Sequence, residues 1–146
     1  PHFSTAVMTP NGDSLLLADT ANSAVETVDV APSDSSTYYG HVVSAVAVNG
    51  ATAMTPNSIT ILPDGSFAYV SSVPTSGTGV GGITALTAGV STAGYGAPRF
   101  YSGTGLADTP PSGAAHTLVS PSEVAASSNG QVLWTLDPTS SLPLKT

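Results

Sequence analysis

The stretch TPNSITILPDGSFAYVSS, residues 55–72, decides how the rest of the chain is read. An apolar run, Ser58–Leu62, meets Pro63-Asp64-Gly65 and leaves it as a second apolar run, Phe67–Ser71. Both runs are rich in Ile, Val, Thr and aromatic residues, which suit a pleated, half-buried surface. Asp-Gly supplies the positive φ that a two-residue type I′ turn needs, so the stretch predicts a β-hairpin. Two weaker versions flank it: FSTAVMTPNGDSLLLADT (3–20) and PSEVAASSNGQVLWTLD (121–137). Asn11-Gly12 and Asn129-Gly130 fall where Asp64-Gly65 stands. Their predicted strands are Ser4–Met8 with Ser14–Ala18, and Glu123–Ala126 with Gln131–Leu136.

Two more strands follow the hairpin in each of the first two units. They are Val25–Val30 and His41–Val48 in the first, Gly82–Thr87 and Arg99–Ser102 in the second. Nowhere does a 3.6-residue apolar period persist, and 15 Gly and 12 Pro punctuate the chain. The expected fold is all-β. Four antiparallel strands per unit, repeated at roughly 40–50 residues plus insertions, is the pattern of β-propeller blades. The chain forms one propeller-type domain over 1–146, with blade 1 at about 1–54, blade 2 at about 55–119 and a partial blade 3 at about 120–146. The insertions Ser33–Tyr39, Val73–Gly81 and Gly103–Leu118 are rich in Ser, Thr, Gly or Pro, as solvent-facing loops are. About two and a half blades are too few to close a ring of roughly 4–8. An incomplete ring, or a fragment of a larger one, is expected.

Composition narrows the function classes. Apolar residues make up 40% of the 146, enough for a core, but charged residues only 8%, against about 25% in an ordinary soluble domain. Ser and Thr take their place. Such a surface suits an extracellular or cell-surface protein. The net charge is −7, and Arg99 and Lys145 are the only Lys or Arg residues. Nucleic-acid binding neutralises phosphates with such cations, so it is excluded. No apolar run approaches the roughly 20 residues of a membrane helix. The absence of cysteine excludes disulfides, thiolate nucleophiles and Cys-ligated zinc.

The repeats PNSITILPDGSFAYVSS and TAVMTPNGDSLLLADTANSAVETVDV resemble the YVTN-type and lactonase-like seven-bladed propellers, a family whose lactonase branch includes 6-phosphogluconolactonase-like proteins. The resemblance implies a site at the mouth of the channel. His2, in Pro1-His2-Phe3, resembles the Pro-His that opens a lactonase blade, and Glu123 resembles the Glu that opens a later one. Asp19 fits the pattern at the end of a second strand. A His base with carboxylate partners activates water on a lactone. In two places the chain departs from the branch: Asn57-Ser58 stands where Arg-His is implied, and Leu136-Asp137 where Asn-Arg is implied.

Other candidates have plainer readings. Asn11-Gly12-Asp13 and Pro63-Asp64-Gly65 look calcium-like, but turn chemistry accounts for both, so no cofactor or metal is expected and Ca²⁺ is the one alternative. The Gly77–Gly82 run lacks the Lys of a phosphate loop. His2, His41 and His116 show no metal spacing. Trp134 takes the place of Tyr69 on a core-facing strand. Tyr38, Tyr39, Tyr95 and Tyr101 are expected near loops and edge strands, as anchors for an interface or a glycan. The leading expectation is a non-enzymatic extracellular or surface module, structural or interacting, whose partners are copies of itself or the rest of a larger chain. The alternatives are a lactonase-like hydrolase or isomerase and a carbohydrate-binding propeller.

Overall fold

A computed structural model describes residues 2–31, 39–48, 52–88, 94–104, 117–139 and 144–145. They form an all-β structure in three sheets. The first is an antiparallel meander of β1 (Phe3–Met8), β2 (Ser14–Asp19), β3 (Ala24–Asp29) and β4 (Val42–Ala47). The second repeats it with β5 (Met54–Ile61), β6 (Phe67–Pro74), β7 (Gly82–Ala88) and β8 (Tyr95–Ser102). The third holds β9 (Glu123–Ala126), β10 (Leu133–Leu136) and the short β11 (Leu144–Lys145), in the order β11-β10-β9.

The sheets stack face on face. Leu16, Ala18 and Val25 of the first sheet pack with Ile59, Ala68, Val70, Leu86 and Tyr95 of the second. On the other side of the second sheet, Ile83 and Tyr69 meet Val124 and Leu133 of the third, with Leu118 between them. The first strands β1, β5 and β9 lie side by side across the stack, and β4 lies against β8. Blades stacked with like strands in register make this part of a β-propeller.

The strand order matches the sequence expectation, with three strands longer than predicted by three or four residues. β5 begins at Met54 and runs through Pro56, and β8 begins at Tyr95 and runs through Pro98. Proline breaks a ladder only where its missing N–H is needed. Both strands are sheet edges, and both carry a register shift, at Pro56/Ser58 and opposite Ala85/Thr87. β6 likewise extends to Pro74, so the predicted loop at Val73–Gly81 starts two residues later. The loop stretches Ser33–Tyr39 and Gly103–Leu118 lie mostly outside the described residues.

The turns correct the type I′ expectation. Each hairpin closes a four-residue loop: Thr9 N–H bonds Ser14 O, Leu62 N–H bonds Phe67 O and Ser127 N–H bonds Val132 O. Within each, the glycine N–H returns to the residue three before it, at 2.8–2.9 Å. Gly12, Gly65 and Gly130 have positive φ, whereas Asn11, Asp64 and Asn129 do not. This is a four-residue loop built on a type I turn. The Asx side chain accepts from the N–H two residues on, at Asp13 (3.2 Å), Ser66 (2.9 Å) and Gln131 (3.2 Å). That local bond, not positive φ, is why Asn or Asp recurs there.

Candidate functional site

Aligned on the turn glycines, three residues stand at each repeat position, one per sheet. The rim where β1, β5 and β9 begin holds His2, Asp19, Asn57, Ser58, Ser122 and Glu123, with Leu136-Asp137 beside them at the end of β10.

Asp19 ends β2 and is fully buried. Burial alone would raise its pKa. The Asn22 side chain (2.6 Å) and the backbone N–H groups of Asn22 (3.2 Å), Ala21 (2.9 Å) and His2 outweigh it and hold the carboxyl below its ordinary value. Asp137 holds the same place in the third sheet. It accepts from Val119 N–H (2.6 Å), Ser120 N–H (3.1 Å) and the Thr139 N–H and hydroxyl (2.9 and 2.6 Å). Its carboxyl too is held low against the opposing effect of burial. Each aspartate therefore ties the end of a second strand to the segment that leads into the first. The second sheet has Ser72 at this place, buried and without a hydrogen-bond partner for its hydroxyl.

His2 is exposed, and its carbonyl accepts from the Thr20 N–H and hydroxyl, both at 2.8 Å. Asp19 thus meets His2 through the backbone. Glu123 is exposed on β9 beside Leu136, its cross-strand partner. The second sheet separates it from His2 and Asp19. Among the described residues, no group of His, Asp and Glu is placed to hold a metal ion.

Asn57 and Ser58 span the stack. Asn57 Nδ2 donates to Pro121 O at 2.9 Å, as Ser4 Oγ donates to Pro56 O at 3.0 Å one sheet earlier. Ser58 Oγ accepts from Val124 N–H (3.4 Å) and Thr60 Oγ1 from Ala126 N–H (3.3 Å). These bonds occupy edge amides of β9 that would otherwise be open.

The tyrosines divide. Tyr95 is buried between the first two sheets: its hydroxyl donates to Gly65 O at 2.6 Å, and its carbonyl accepts from Ser44 Oγ at 2.9 Å. It anchors an interface inside the chain. Burial, with Asp64 adding to it, pushes its phenol pKa up and keeps the proton on the donor. Tyr39 is 61% exposed. Tyr101 is half-exposed, with the Arg99 guanidinium 5.2 Å from its ring centre. Tyr38 and His116 lie outside the described residues. The opposite rim carries two clefts between successive turns, of about 210 Å³ beside Asn11, Asp64 and Tyr95 and about 310 Å³ beside Asp64 and Asn129. Trp134, expected in the core, lies on the outer face of the third sheet and is 47% exposed. It does take Tyr69's place, but no described fourth sheet follows to cover it.

Stacked four-stranded blades with an inner rim of first strands define the chain as propeller-like. Solved structures with the same arrangement include a candidate 6-phosphogluconolactonase of Bacteroides fragilis (TM-score 0.66, 12% identity, covering 97% of this chain and 33% of that one). A second candidate 6-phosphogluconolactonase, from Bacteroides uniformis, gives a TM-score of 0.65 at 16% identity, over 96% of this chain and 34% of that one. Hydrazine synthase of Kuenenia stuttgartiensis gives 0.58 at 18%, over 92% and 29%. The chain thus spans about a third of the length of each. No protein-family model matches the sequence. No curated protein matches it either.

Proposed function

We propose that this chain is a scaffold segment of a lactonase-type β-propeller, contributing blades and blade-to-blade bonds rather than hydrolytic chemistry. The observation that carries this reading is the use of Asn57 and Ser58. Where the lactonase branch is implied to carry Arg-His, this chain spends both side chains on holding β5 to β9. The buried Asp19 is spent in the same way, on backbone amides. The low content of charged residues supports an extracellular or cell-surface setting. The test is turnover of 6-phosphogluconolactone and simple lactones by the purified chain. A rate equal to spontaneous hydrolysis is expected.

The second reading is a lactonase-like hydrolase with His2 as base and Glu123 and Asp19 as its carboxylates. It is favoured by the two candidate 6-phosphogluconolactonases among the similar structures. Turnover that His2→Ala or Glu123→Ala abolishes would establish it and sink the scaffold reading. Fold likeness alone does not choose between them, because one fold carries many chemistries.

A further inference from the structure

We propose that Asn11 and Asn129 are sites of spontaneous deamidation, held back by the hairpin turns that contain them, and that the aspartate product is tolerated at 129 and disruptive at 11. Both asparagines are exposed, and each precedes a glycine. A third Asn-Gly pair, Asn49-Gly50, lies outside the described residues.

Glycine has no side chain to shield its nitrogen, so that nitrogen can reach the side-chain carbonyl carbon of an asparagine before it. In the step, base takes the Gly12 proton, the nitrogen bonds to Asn11 Cγ, and the Cγ–Nδ2 bond breaks. Nδ2 takes up a proton and leaves as ammonia, and a five-membered succinimide remains. Water then opens the ring. Attack at Cγ gives aspartate, and attack at the backbone carbonyl gives isoaspartate. Ring closure needs the glycine nitrogen to lie alongside Cβ of the asparagine. The type I turn turns it away, because ψ of the second central residue sits at roughly 0°. The Gly12 N–H is also engaged by Thr9 O and the Gly130 N–H by Ser127 O, both at 2.9 Å. Asn11 Oδ1 is pinned by the Thr9 hydroxyl (2.7 Å) and the Asp13 N–H (3.2 Å). Asn129 Oδ1 is pinned in the same way by the Ser127 hydroxyl (2.7 Å) and the Gln131 N–H (3.2 Å). Reaction therefore waits for the turn to open, and its rate follows the population of the open turn.

The residue two places after the asparagine decides what the product does. The second repeat already carries the acid. Asp64 Oδ1 accepts from the Ser66 N–H (2.9 Å) and hydroxyl (2.7 Å), so aspartate fits this turn where its neighbour can donate. Asn129 Nδ2 donates to Gln131 Oε1 at 3.2 Å. Once Nδ2 is replaced by oxygen, the Gln131 amide turns over and donates its own N–H instead. Asn11 Nδ2 donates to Asp13 Oδ2 at 3.0 Å. A carboxylate there can only accept, so aspartate at 11 sets two like charges against each other where a bond stood. The Asp13 charge also opposes the deprotonated nitrogen of Gly12, and its charge-assisted bond to Nδ2 is stronger than the neutral one at Asn129. Asn129 therefore converts first. Isoaspartate adds a carbon to the main chain and upsets the register that the turn sets at either site.

Peptide mapping by mass spectrometry, after storage of the purified chain in mildly alkaline buffer, reads each site separately. Conversion at Asn129 is expected ahead of conversion at Asn11. Both should run about tenfold or more slower than in the same chain unfolded in urea. Equal rates in the folded and unfolded chains, or Asn11 converting first, overturn the proposal. The aspartate products are made directly as Asn11→Asp and Asn129→Asp. Thermal melts should place Asn129→Asp with the parent chain and Asn11→Asp below it. Adding Asp13→Asn to Asn11→Asp should restore the melt, because an amide at 13 can donate to the new carboxylate. An Asn11→Asp chain that does not fold is judged by that double variant, which should fold. A melt of Asn11→Asp equal to the parent's, a loss that Asp13→Asn does not restore, or a lowered melt of Asn129→Asp overturns the proposal.

Discussion

At the scale of single residues, the buried carboxylates Asp19 and Asp137 tie strand ends to backbone amides. Asp137 accepts from the Val119 and Ser120 amides. Removing the shared acceptor leaves part-buried donors without their partner, which costs part of their desolvation penalty. Asp137→Ala should therefore lower the unfolding free energy by about 1–3 kcal/mol in urea titrations, with Asp137→Asn recovering part of it. The sign of the pH dependence follows from the same groups. The carboxyls of Asp19, Asp64 and Asp137 are all held below their ordinary value in the folded state. For Asp64 the cause is the Ser66 N–H and hydroxyl. A depressed carboxyl pKa contributes stability that is complete above the unfolded value and is lost as pH falls through the folded one. Melting temperature should fall progressively from about pH 5 downward, as the unfolded carboxyls begin to take up protons, and Asp137→Asn should flatten that fall. Buried hydroxyls act in the opposite direction. Thr84 is fully buried, and its Oγ1 finds no protein partner. Thr84→Val keeps the shape and removes the unpaired group, so thermal melts should show a gain of about 1 kcal/mol. Asp19 stood out in the sequence by its place at the end of a second strand, but the partners of its carboxylate did not. A carboxylate that holds backbone amides and one that holds a catalytic imidazole look the same until the partners are seen. Asp137 could have been found by aligning the third repeat on Asp19, since both stand at the same distance from their turn glycine.

At the scale of the element, the hairpin turn is the unit the chain repeats. Gly12 has φ near +79°, and a Cβ added there meets nothing within 4 Å. Any cost of Gly12→Ala is therefore conformational, about 1–2 kcal/mol, without a steric part. Equilibrium unfolding of Gly12→Ala measures it, and a neutral result would mean that the turn relaxes to another type. Turn positions were readable because Asx-Gly is strong punctuation. Turn type was not, since type I′ and the four-residue loop draw on the same residues and differ only in whether Asn11 itself takes positive φ. Strand starts at Met54 and Tyr95 were hidden for a related reason. Proline reads as a break, yet β5 and β8 use Pro56 and Pro98 on edges where the lost donor costs no ladder bond.

At the scale of the whole molecule, the three sheets differ in what covers them. The second is packed on both faces, by the first sheet on one side and the third on the other. Gly82–Leu86 of β7 is buried along its whole length. Among the described residues, the first and third sheets are each packed against the second on one face, and the third is held by short four-residue strands and a small cluster around Ile83, Leu118 and Val124. Local opening follows buried apolar contact, so protection should be graded along the stack. Native-state hydrogen exchange should find the slowest amides in β6 and β7. Those of β2 and β3 should come next, and those of β9 and β10 should be fastest. Trp134 reports the same event optically, because it lies on β10. Its fluorescence should change at lower denaturant than the far-ultraviolet signal of the other two sheets. Coincident transitions would mean that the third sheet unfolds with the second as one unit.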